Sequence, residues 1–181
     1  MQKVLVTGGL GFVGSNLVDL LMTLGGYEVT VIDNLISESS SESYKNPSVT
    51  YWKEDIRDIN DIEFDEDFDI IFHLAALARI QPSFKNPLET ISVDAYGTAA
   101  VCEFARNCNA KVVYAGSSSF YAGPHLNPYA FAKWQGEEMC AMYSKCFGIK
   151  TAIARFFNVY GPRHPRTGDY ATVVGIFERQ S

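Results

Sequence analysis

The sequence predicts an α/β fold built on a doubly wound parallel sheet with helices on both faces. Apolar runs of strand length alternate with amphipathic helical stretches, which is the pattern of such a sheet. Gly8, Gly11 and Gly14 stand three residues apart, directly after the first apolar run. Asp33 ends the second apolar run, 22 residues after Gly11. A strand, a glycine turn and a helix in this order are typical of a Rossmann-type domain.

The six predicted strands alternate with three longer predicted helices. The strands are expected at 4–6, 27–32, 49–53, 68–73, 111–115 and 151–156, and the helices at 15–24, 87–107 and 129–147. The first helix carries leucines at helical spacing on one stripe, which favours packing against the sheet. The serine-rich segment 37–47 is predicted to be a loop.

Composition limits the classes of partner. A net charge of −6 and a pI near 5.0, without a basic stripe, argue against a nucleic-acid partner. The first apolar stretch is interrupted by Gly8, Asn16 and Asp19, so it does not read as a signal peptide, and no segment approaches membrane-spanning length. We therefore expect a soluble cytoplasmic protein without a membrane partner. The cysteines and histidines lack ligand spacing, so no metal site is predicted.

The glycine motif predicts a dinucleotide site. Gly8 permits a tight turn, Gly11 allows backbone N–H groups to approach a pyrophosphate, and Gly14 allows the helix to pack closely on the strand. The carboxylate of Asp33 can accept hydrogen bonds from both hydroxyls of an adenosine ribose. It would also repel a 2′-phosphate, and no arginine in the glycine loop or just after Asp33 compensates, so NAD is favoured over NADP.

Three residues in the second half of the chain could carry chemistry. Tyr129 and Lys133 lie four apart at the start of a helix and therefore share a face. An ammonium group beside a tyrosine stabilises the phenolate and lowers the tyrosine pKa, which would make Tyr129 a general base. Ser117 follows the strand 111–115, at the sheet edge where ligands bind, and could hold a substrate hydroxyl against the tyrosine.

Together these motifs resemble the extended short-chain dehydrogenases/reductases, and specifically the NAD-dependent epimerase/dehydratase family, over essentially the whole chain. The matching motifs are 7–14, 33–35, 55–58, 73–76, Tyr129 with Lys133, and 155–162. The resemblance implies bound NAD and a nucleotide-sugar substrate, with Ser117, Tyr129 and Lys133 catalytic and with Ser117 and Asn158 contacting the substrate. The cofactor residues that it implies are Gly8, Gly11, Phe12, Val13, Gly14, Asp33, Asn34, Asp55, Ile56, Leu74, Ala75, Ala76, Tyr129, Lys133 and Phe157.

The activity that the resemblance implies is transient oxidation of the sugar to a 4-keto intermediate, followed by re-reduction on the other face. Dehydratases of the family carry acid/base side chains directly after the catalytic serine or threonine, whereas this chain has Ser118 and Ser119 there. This favours a UDP-hexose 4-epimerase. The alternatives are an NAD-binding module without turnover, a dehydratase or reductase of the same family, and an NADPH-linked reductase, against which Asp33 speaks.

The chain also departs from the family pattern. Ser117 and Tyr129 are only 12 positions apart, where relatives have a longer substrate-side loop, and Asp94 stands where relatives often have asparagine, so its charge would need a partner. We expect residues 1–157 to form the NAD-binding domain and 158–181 to begin a largely missing substrate-binding region. Relatives commonly pair through two long helices, which implies a homodimer through 87–107 and 129–147. His73 is expected to pack or hydrogen-bond near the cofactor.

Overall fold

In the computed structural model, which describes residues 1–168, 171 and 173–180, six parallel strands form one sheet in the order β3-β2-β1-β4-β5-β6. The strands are β1 Gln2–Thr7, β2 Tyr27–Ile32, β3 Thr50–Trp52, β4 Ile70–His73, β5 Lys111–Ser117 and β6 Thr151–Phe156. This order confirms the predicted doubly wound fold. Positions 169, 170, 172 and 181 of the predicted second region lie outside the described residues.

The helices follow the predicted alternation. They are α1 Phe12–Leu24, α2 Ile80–Lys85, α3 Pro87–Ile91, α4 Gly97–Cys108, α5 Ser119–Ala122, α6 Pro128–Phe147 and α7 Val173–Gln180. Short 3₁₀ turns cover Glu42–Tyr44, Ile56–Asp61 and Pro124–Leu126, the first of them inside the predicted serine-rich loop. Among the described residues, no helix is both long and apolar enough to span a membrane.

One predicted helix is wrong as a single element. Residues 87–107 divide into α3, a π-helical segment at Ser92–Tyr96, and α4. At the end of the π segment, Gly97 packs so closely on the Ile56 side chain that a Cβ there would lie 2.6 Å from its Cδ1. Segments of this kind are frequent at functional sites, and this one carries Asp94.

The strand alternation distributes the core over both faces of the sheet. Val4 and Val6 of β1 pack with Val18 of α1 on one face, while Leu5 between them packs with Val101 of α4 on the other. All five side chains are fully buried. Burial on both faces explains why β1 reads as a continuous apolar run rather than as an alternating pattern.

The site is positioned by the reversal of strand order beside β1. The chain moves outward from β1 to β2 and β3 on one side and then returns to place β4 on the other side. The loops that follow β1 and β4 therefore separate and leave a crevice at the carboxyl edge of the sheet, where ligands bind in such folds. Thr7 and His73, the last residues of the two strands, are partners in the parallel register.

Candidate functional site

The glycine loop is held in one conformation by close packing. Gly8 has a φ of +71°, and a Cβ there would lie 2.7 Å from the backbone nitrogen of Ala75. A Cβ at Gly14 would collide with the carbonyl oxygen of Gly8. Both positions therefore accept only glycine without a shift of the backbone. This close packing holds the glycine loop against the start of α1 and against the loop that follows β4.

The start of α1 presents unpaired backbone N–H groups to a cavity. Gly11 caps the helix without a side-chain hydrogen bond, and its first turn carries no acidic residue. A cavity of about 220 Å³, here called the central cavity, is lined on this side by Gly8, Gly11, Phe12, Val13 and Gly14. Such a helix terminus favours a bound anion.

Asp33 fastens the glycine loop to the end of β2. Its carboxylate accepts the backbone N–H of Leu10 at 2.9 Å and that of Leu35 at 2.9 Å, and the side chain is almost fully buried. Burial raises the pKa of Asp33, while these two hydrogen bonds act in the opposite direction. Because each carboxylate oxygen has a second lone pair, Asp33 can still accept hydrogen bonds from a ligand hydroxyl.

A smaller cavity of about 40 Å³, the β2 cavity, opens beside Asp33. Asn34 lines it and donates to Asp55 at 2.8 Å. Burial raises the pKa of Asp55, but hydrogen bonds and an ion pair from Arg57 outweigh it and hold that pKa below the ordinary range. The apolar side of the cavity is formed by Ile56 and Ala75. A polar edge facing an apolar wall suits a flat heteroaromatic ring with a hydroxylated sugar.

A buried hydrogen bond joins β1 to β4 directly beneath the crevice. The Thr7 hydroxyl oxygen accepts the backbone N–H groups of Leu74 and Ala75, each at 3.2 Å. With its lone pairs engaged, the hydroxyl donates its proton to Nδ1 of His73 at 2.8 Å. His73 is therefore neutral, with its proton on Nε2.

The other side of the His73 ring completes the network. Nε2–H donates to the Thr98 hydroxyl oxygen at 2.9 Å, and the Thr98 hydroxyl donates to the Asp94 carbonyl oxygen at 2.6 Å. Burial lowers the pKa of His73 to about 3, and the charge of Lys133 acts in the same direction. His73 thus connects β1 and β4 to α4 through hydrogen bonds. This agrees with the expected packing or hydrogen-bonding role.

Asp94 is the acidic residue that stands where relatives often have asparagine, and its charge was expected to need a partner. Its Oδ1 accepts the backbone N–H of Leu77 at 2.7 Å, which fixes the loop after β4, while its buried Oδ2 has no hydrogen-bond partner. Burial raises the pKa of Asp94 to about 6, and the charge of Lys133 opposes this. Lys133 is thus the cation that compensates for the buried carboxylate.

Ser117 and Tyr129 line the same cavity, and interaction with the Ser117 hydroxyl lowers the pKa of Tyr129. Ser117, at the end of β5, accepts from the backbone N–H of Ser119 at 3.2 Å and from its hydroxyl at 2.9 Å. With both lone pairs engaged, the Ser117 hydroxyl can interact with the Tyr129 oxygen only as a proton donor. This direction favours a phenolate at Tyr129.

The expected effect of Lys133 on Tyr129 is wrong for the protein without ligand. The Lys133 ammonium lies 4.6 Å from the ring centroid of Tyr114, and the side chain is fully buried. Burial raises the pKa of Tyr129, and the charge of Asp94 acts in the same direction. Interaction with Ser117 and the charge of Arg79 oppose the rise without cancelling it. Desolvation, which sequence spacing does not reveal, outweighs the nearby positive charge.

A third cavity of about 500 Å³, the outer cavity, continues from the central one away from the glycine loop. The residues that line both are Ala78, Arg79, Ser117, Tyr129 and Phe157. The outer wall adds Gln81, Ser118, Ser119 and Asn127. Tyr129 therefore stands at the junction of a cavity that adjoins an anion-binding helix terminus and a cavity lined by hydroxyl and amide groups.

The structure brings the predicted cofactor residues together in two adjoining cavities. The central cavity contains Gly8, Gly11, Phe12, Val13, Gly14, Leu74, Ala76, Tyr129, Lys133 and Phe157, and the β2 cavity contains Asp33, Asn34, Asp55, Ile56 and Ala75. Asn158 is exposed and lines none of the three cavities. Among the described residues, no group of three His, Cys, Asp or Glu side chains is arranged for a metal ion.

Sequence reasoning missed two parts of the site. Ser37, Ser39 and Ser40 line the central cavity because Ser41 donates its backbone N–H to the carbonyl oxygen of Leu10 at 3.0 Å. The serine run directly after Asp33 was the available signal. Arg79 was also missed, because no motif marks an arginine in the loop after β4.

Comparison with known proteins shows the family and several relatives. The sequence model of the NAD dependent epimerase/dehydratase family matches residues 4–180. A putative UDP-glucose 4-epimerase of Methanocaldococcus jannaschii is 34% identical over 96% of this chain and 61% of its own length. UDP-glucuronic acid decarboxylase 1 of Xenopus tropicalis is 33% identical over 90% of this chain and 42% of its own length.

The fold comparison agrees with the sequence comparison. The crystal structure of UDP-glucose 4-epimerase with UDP-glucose from Thermotoga maritima superposes with a TM-score of 0.88 at 28% identity. It covers 99% of this chain, which in turn covers 62% of that chain. The present chain thus spans less than two thirds of the length of these proteins.

The buried His73 makes stability depend on pH. Its folded pKa of about 3 lies below the ordinary value of 6.5, so the unfolded chain binds the proton more tightly between these limits. We therefore expect the His73 contribution to be complete above pH 6.5 and to fall by about 2 kcal/mol from pH 7 to pH 5. Urea unfolding of the wild type and His73→Gln at both pH values measures this: the variant should lose less stability on acidification. Equal losses would contradict a buried neutral His73.

Proposed function

We propose, because the chain belongs to the NAD-dependent epimerase/dehydratase family, that it binds NAD and interconverts UDP-hexoses that differ in configuration at C4. The observation that carries the proposal is the junction at Tyr129. There Ser117 and Tyr129 line both the cavity of the glycine loop and the outer cavity. A reactive hydroxyl pair between a cofactor and a sugar is what a reversible oxidation at C4 needs.

The residues of the chain fit NAD. The pyrophosphate would lie over Gly11 and the uncapped first turn of α1, where N–H groups are available to an anion. The adenosine would lie over the open side of the β2 cavity, with its ribose hydroxyls toward Asp33 and its base against Ile56. The nicotinamide end would lie near Phe157, Tyr129 and Lys133 in the central cavity.

Tyr129 would act as the general base on the sugar. Its oxygen would accept the proton of the C4 hydroxyl, while the Ser117 hydroxyl holds the same substrate oxygen and stabilises the developing charge. When bound, NAD would supply the hydride acceptor and a positive charge near Tyr129. An added positive charge lowers the tyrosine pKa, in opposition to the burial that raises it in the free protein.

Lys133 would keep the site electrically balanced during the proton transfer. It is fully buried, and burial lowers its pKa, whereas the charge of Asp94 raises it. With Asp94 ionised, Lys133 remains a cation that attracts negative charge formed on Tyr129. The buried pair Asp94–Lys133 would thus carry no net charge, so that Lys133 would offset the charge of Asp94, which raises the pKa of Tyr129.

The absence of an acid in the cavities favours an epimerase over a dehydratase. Of the described residues, none that lines the central or the outer cavity is an aspartate or a glutamate. Ser118 and Ser119 follow Ser117, and their hydroxyls cannot remove a carbon-bound proton at neutral pH. The described residues of the two cavities therefore supply an acceptor for the hydroxyl proton but no carboxylate for the elimination of water.

We also propose a homodimer through the α3–α4 region and α6. These helices leave large apolar side chains at the surface, among them Leu88, Tyr96 and Met142. Leu88 is 84% exposed, which is unfavourable unless another surface covers it. Two copies of the same helix pair would bury these side chains against each other around a twofold axis.

Replacement of Tyr129 by phenylalanine tests the proposed chemistry. We expect Tyr129→Phe to lower the conversion of UDP-glucose to UDP-galactose by about 10²-fold or more, because the proton acceptor is removed. NAD binding should change little, since the ring remains. Product formation is followed by proton NMR, and NAD affinity by calorimetry.

The matched control is Tyr143→Phe, which removes a hydroxyl from the same helix away from the three cavities. It should retain wild-type turnover. Unchanged turnover in Tyr129→Phe would contradict the assignment of the base. Normal NAD binding with no product from the wild type would favour the alternative of an NAD-binding module.

Sedimentation equilibrium tests the dimer. The wild type should show twice the 20.1 kDa mass of one chain. Leu88→Asp should shift the mass to that of a monomer, because it places a charge in the proposed contact. Leu24→Asp, at an exposed position at the end of α1, is the control and should remain dimeric. A monomeric wild type would rule out the proposal.

A further inference from the structure

A buried ion pair joins α6 to β6. Glu137 lies one turn of α6 after Lys133 and is only 4% exposed. Arg155 of β6 donates to its carboxylate from Nε, at 3.1 Å to Oε1 and 3.0 Å to Oε2, and from Nη2 at 2.7 Å to Oε2. Because several hydrogen bonds hold the planar guanidinium, the carboxylate fixes its orientation as well as its place.

Gly116 of β5 leaves the room that this ion pair occupies. It is the register partner of Arg155 in the parallel pair of β5 and β6. A Cβ at Gly116 would lie 2.6 Å from Oε1 of Glu137, so a larger residue would have to displace the carboxylate. Ser117 is the next residue of β5, and the ion pair therefore lies directly beside the strand end that reaches the central cavity.

The rest of the Arg155 guanidinium contacts α5. Its Nη1 donates to the Tyr121 hydroxyl oxygen at 3.1 Å, and its Cζ lies 3.7 Å from the centroid of the Phe120 ring. The Tyr121 ring in turn stacks on Phe157, with ring centroids 5.9 Å apart and ring planes inclined by 21°. One guanidinium therefore connects the buried carboxylate of α6 to Tyr121 and, through it, to Phe157.

Phe157 lies where such a support affects ligand binding. It lines both the central and the outer cavity, and it is 69% exposed just beyond the end of β6. An exposed ring loses rotamer freedom when a ligand packs against it, and this loss weakens binding. The stack on Tyr121 restrains the ring before a ligand is present. Tyr121 is itself 64% exposed, and the Arg155 hydrogen bond ties its hydroxyl to the buried ion pair.

We infer that Arg155 is a positioning residue of the cofactor site: held by Glu137, it orders the stack of Tyr121 and Phe157 against which the nicotinamide of NAD packs. The inference rests on the proposed function, in which the nicotinamide end of NAD lies near Phe157. Arg155 itself lines none of the three cavities. Its effect on binding is therefore transmitted by Tyr121 and Phe157.

Two probes separate this role from a general contribution to folding. NAD and ADP-ribose share the adenosine, the diphosphate and the second ribose, whereas only NAD carries the nicotinamide. A variant that releases the Phe157 ring should weaken NAD binding and leave ADP-ribose binding unchanged. A variant that distorts the domain should weaken both, because both probes need the glycine loop and Asp33.

The experiment measures the affinity of both probes for the full chain by isothermal titration calorimetry. Arg155→Lys keeps a cation beside the buried Glu137 but lacks the planar fork that reaches Tyr121 at the same time. We expect it to weaken NAD by roughly 3- to 10-fold, the size expected when one ordered side chain becomes free, and ADP-ribose by less than about twofold.

Tyr121→Ala tests the same path without a change to the ion pair, and it should weaken NAD to the same extent. In the double variant Arg155→Lys/Tyr121→Ala, NAD should bind as in either single variant, because both changes release the same Phe157 ring.

Arg106→Lys is the matched control. Arg106 also pairs with a glutamate, Glu103, and lies 5.2 Å from the centroid of an aromatic ring, that of Phe147, and none of these three residues lines a cavity described above. The control should preserve the affinity for both probes.

Equal weakening of NAD and ADP-ribose by Arg155→Lys would overturn the inference, and so would wild-type affinity for NAD in either single variant. Additive losses in the double variant would also overturn it, because Tyr121 would then not transmit the effect of Arg155. Binding of neither probe by the wild type would contradict the proposed function, and the inference would fail with it. The expected NAD results in a chain that does not convert UDP-hexoses would contradict the proposed activity and support the inference.

Discussion

The hydrogen bond between Thr7 and His73 joins β1 to β4 at the point where the strand order reverses, and the geometry of the site depends on it. The two residues are register partners at the carboxyl ends of their strands. Immediately beyond them the chain separates into the glycine loop and the loop 74–76, which form the two sides of the crevice. A charged imidazole would break the chain of donors and acceptors, so the low pKa of His73 is part of the architecture.

Both sides of the crevice are fixed before any ligand is present. Asp33 binds the Leu10 N–H, and Asp94 binds the Leu77 N–H, so a buried carboxylate holds each loop. Each of these carboxylates also keeps unused hydrogen-bonding capacity. In Asp33 that capacity is available to a ribose hydroxyl, and in Asp94 it is an unpaired Oδ2 electrostatically balanced by Lys133. Preorganisation of this kind lowers the entropy lost when a ligand binds.

The fold and the cofactor half of the site were predictable from the sequence because both rest on local patterns. Gly8, Gly14 and Asp33 occur at fixed positions relative to strands, and the parallel sheet brings strand ends to one edge. The π segment before Gly97 was not predictable, because the sequence carries no local signal for it, and the packing of Gly97 on Ile56 joins residues distant in sequence. For the same reason helical spacing placed Lys133 on the correct face but gave no measure of its burial.

The properties of the residues on the proposed substrate side depend on contacts between residues that are distant in sequence. The rise in the pKa of Tyr129 comes from burial by several elements, which no spacing reports. Arg79 lies in a loop without a motif, and only the structure shows that it lines the same cavity as Tyr129.

Selection of NAD by Asp33 and the glycine loop is tested by calorimetric titration of the chain with NAD and with NADP. The carboxylate of Asp33 would repel a 2′-phosphate, so NAD should bind at least about tenfold more tightly. In Asp33→Asn, which removes the charge but keeps an acceptor oxygen for a backbone N–H, this difference should shrink. Binding of NADP to the wild type as tightly as NAD would contradict the account.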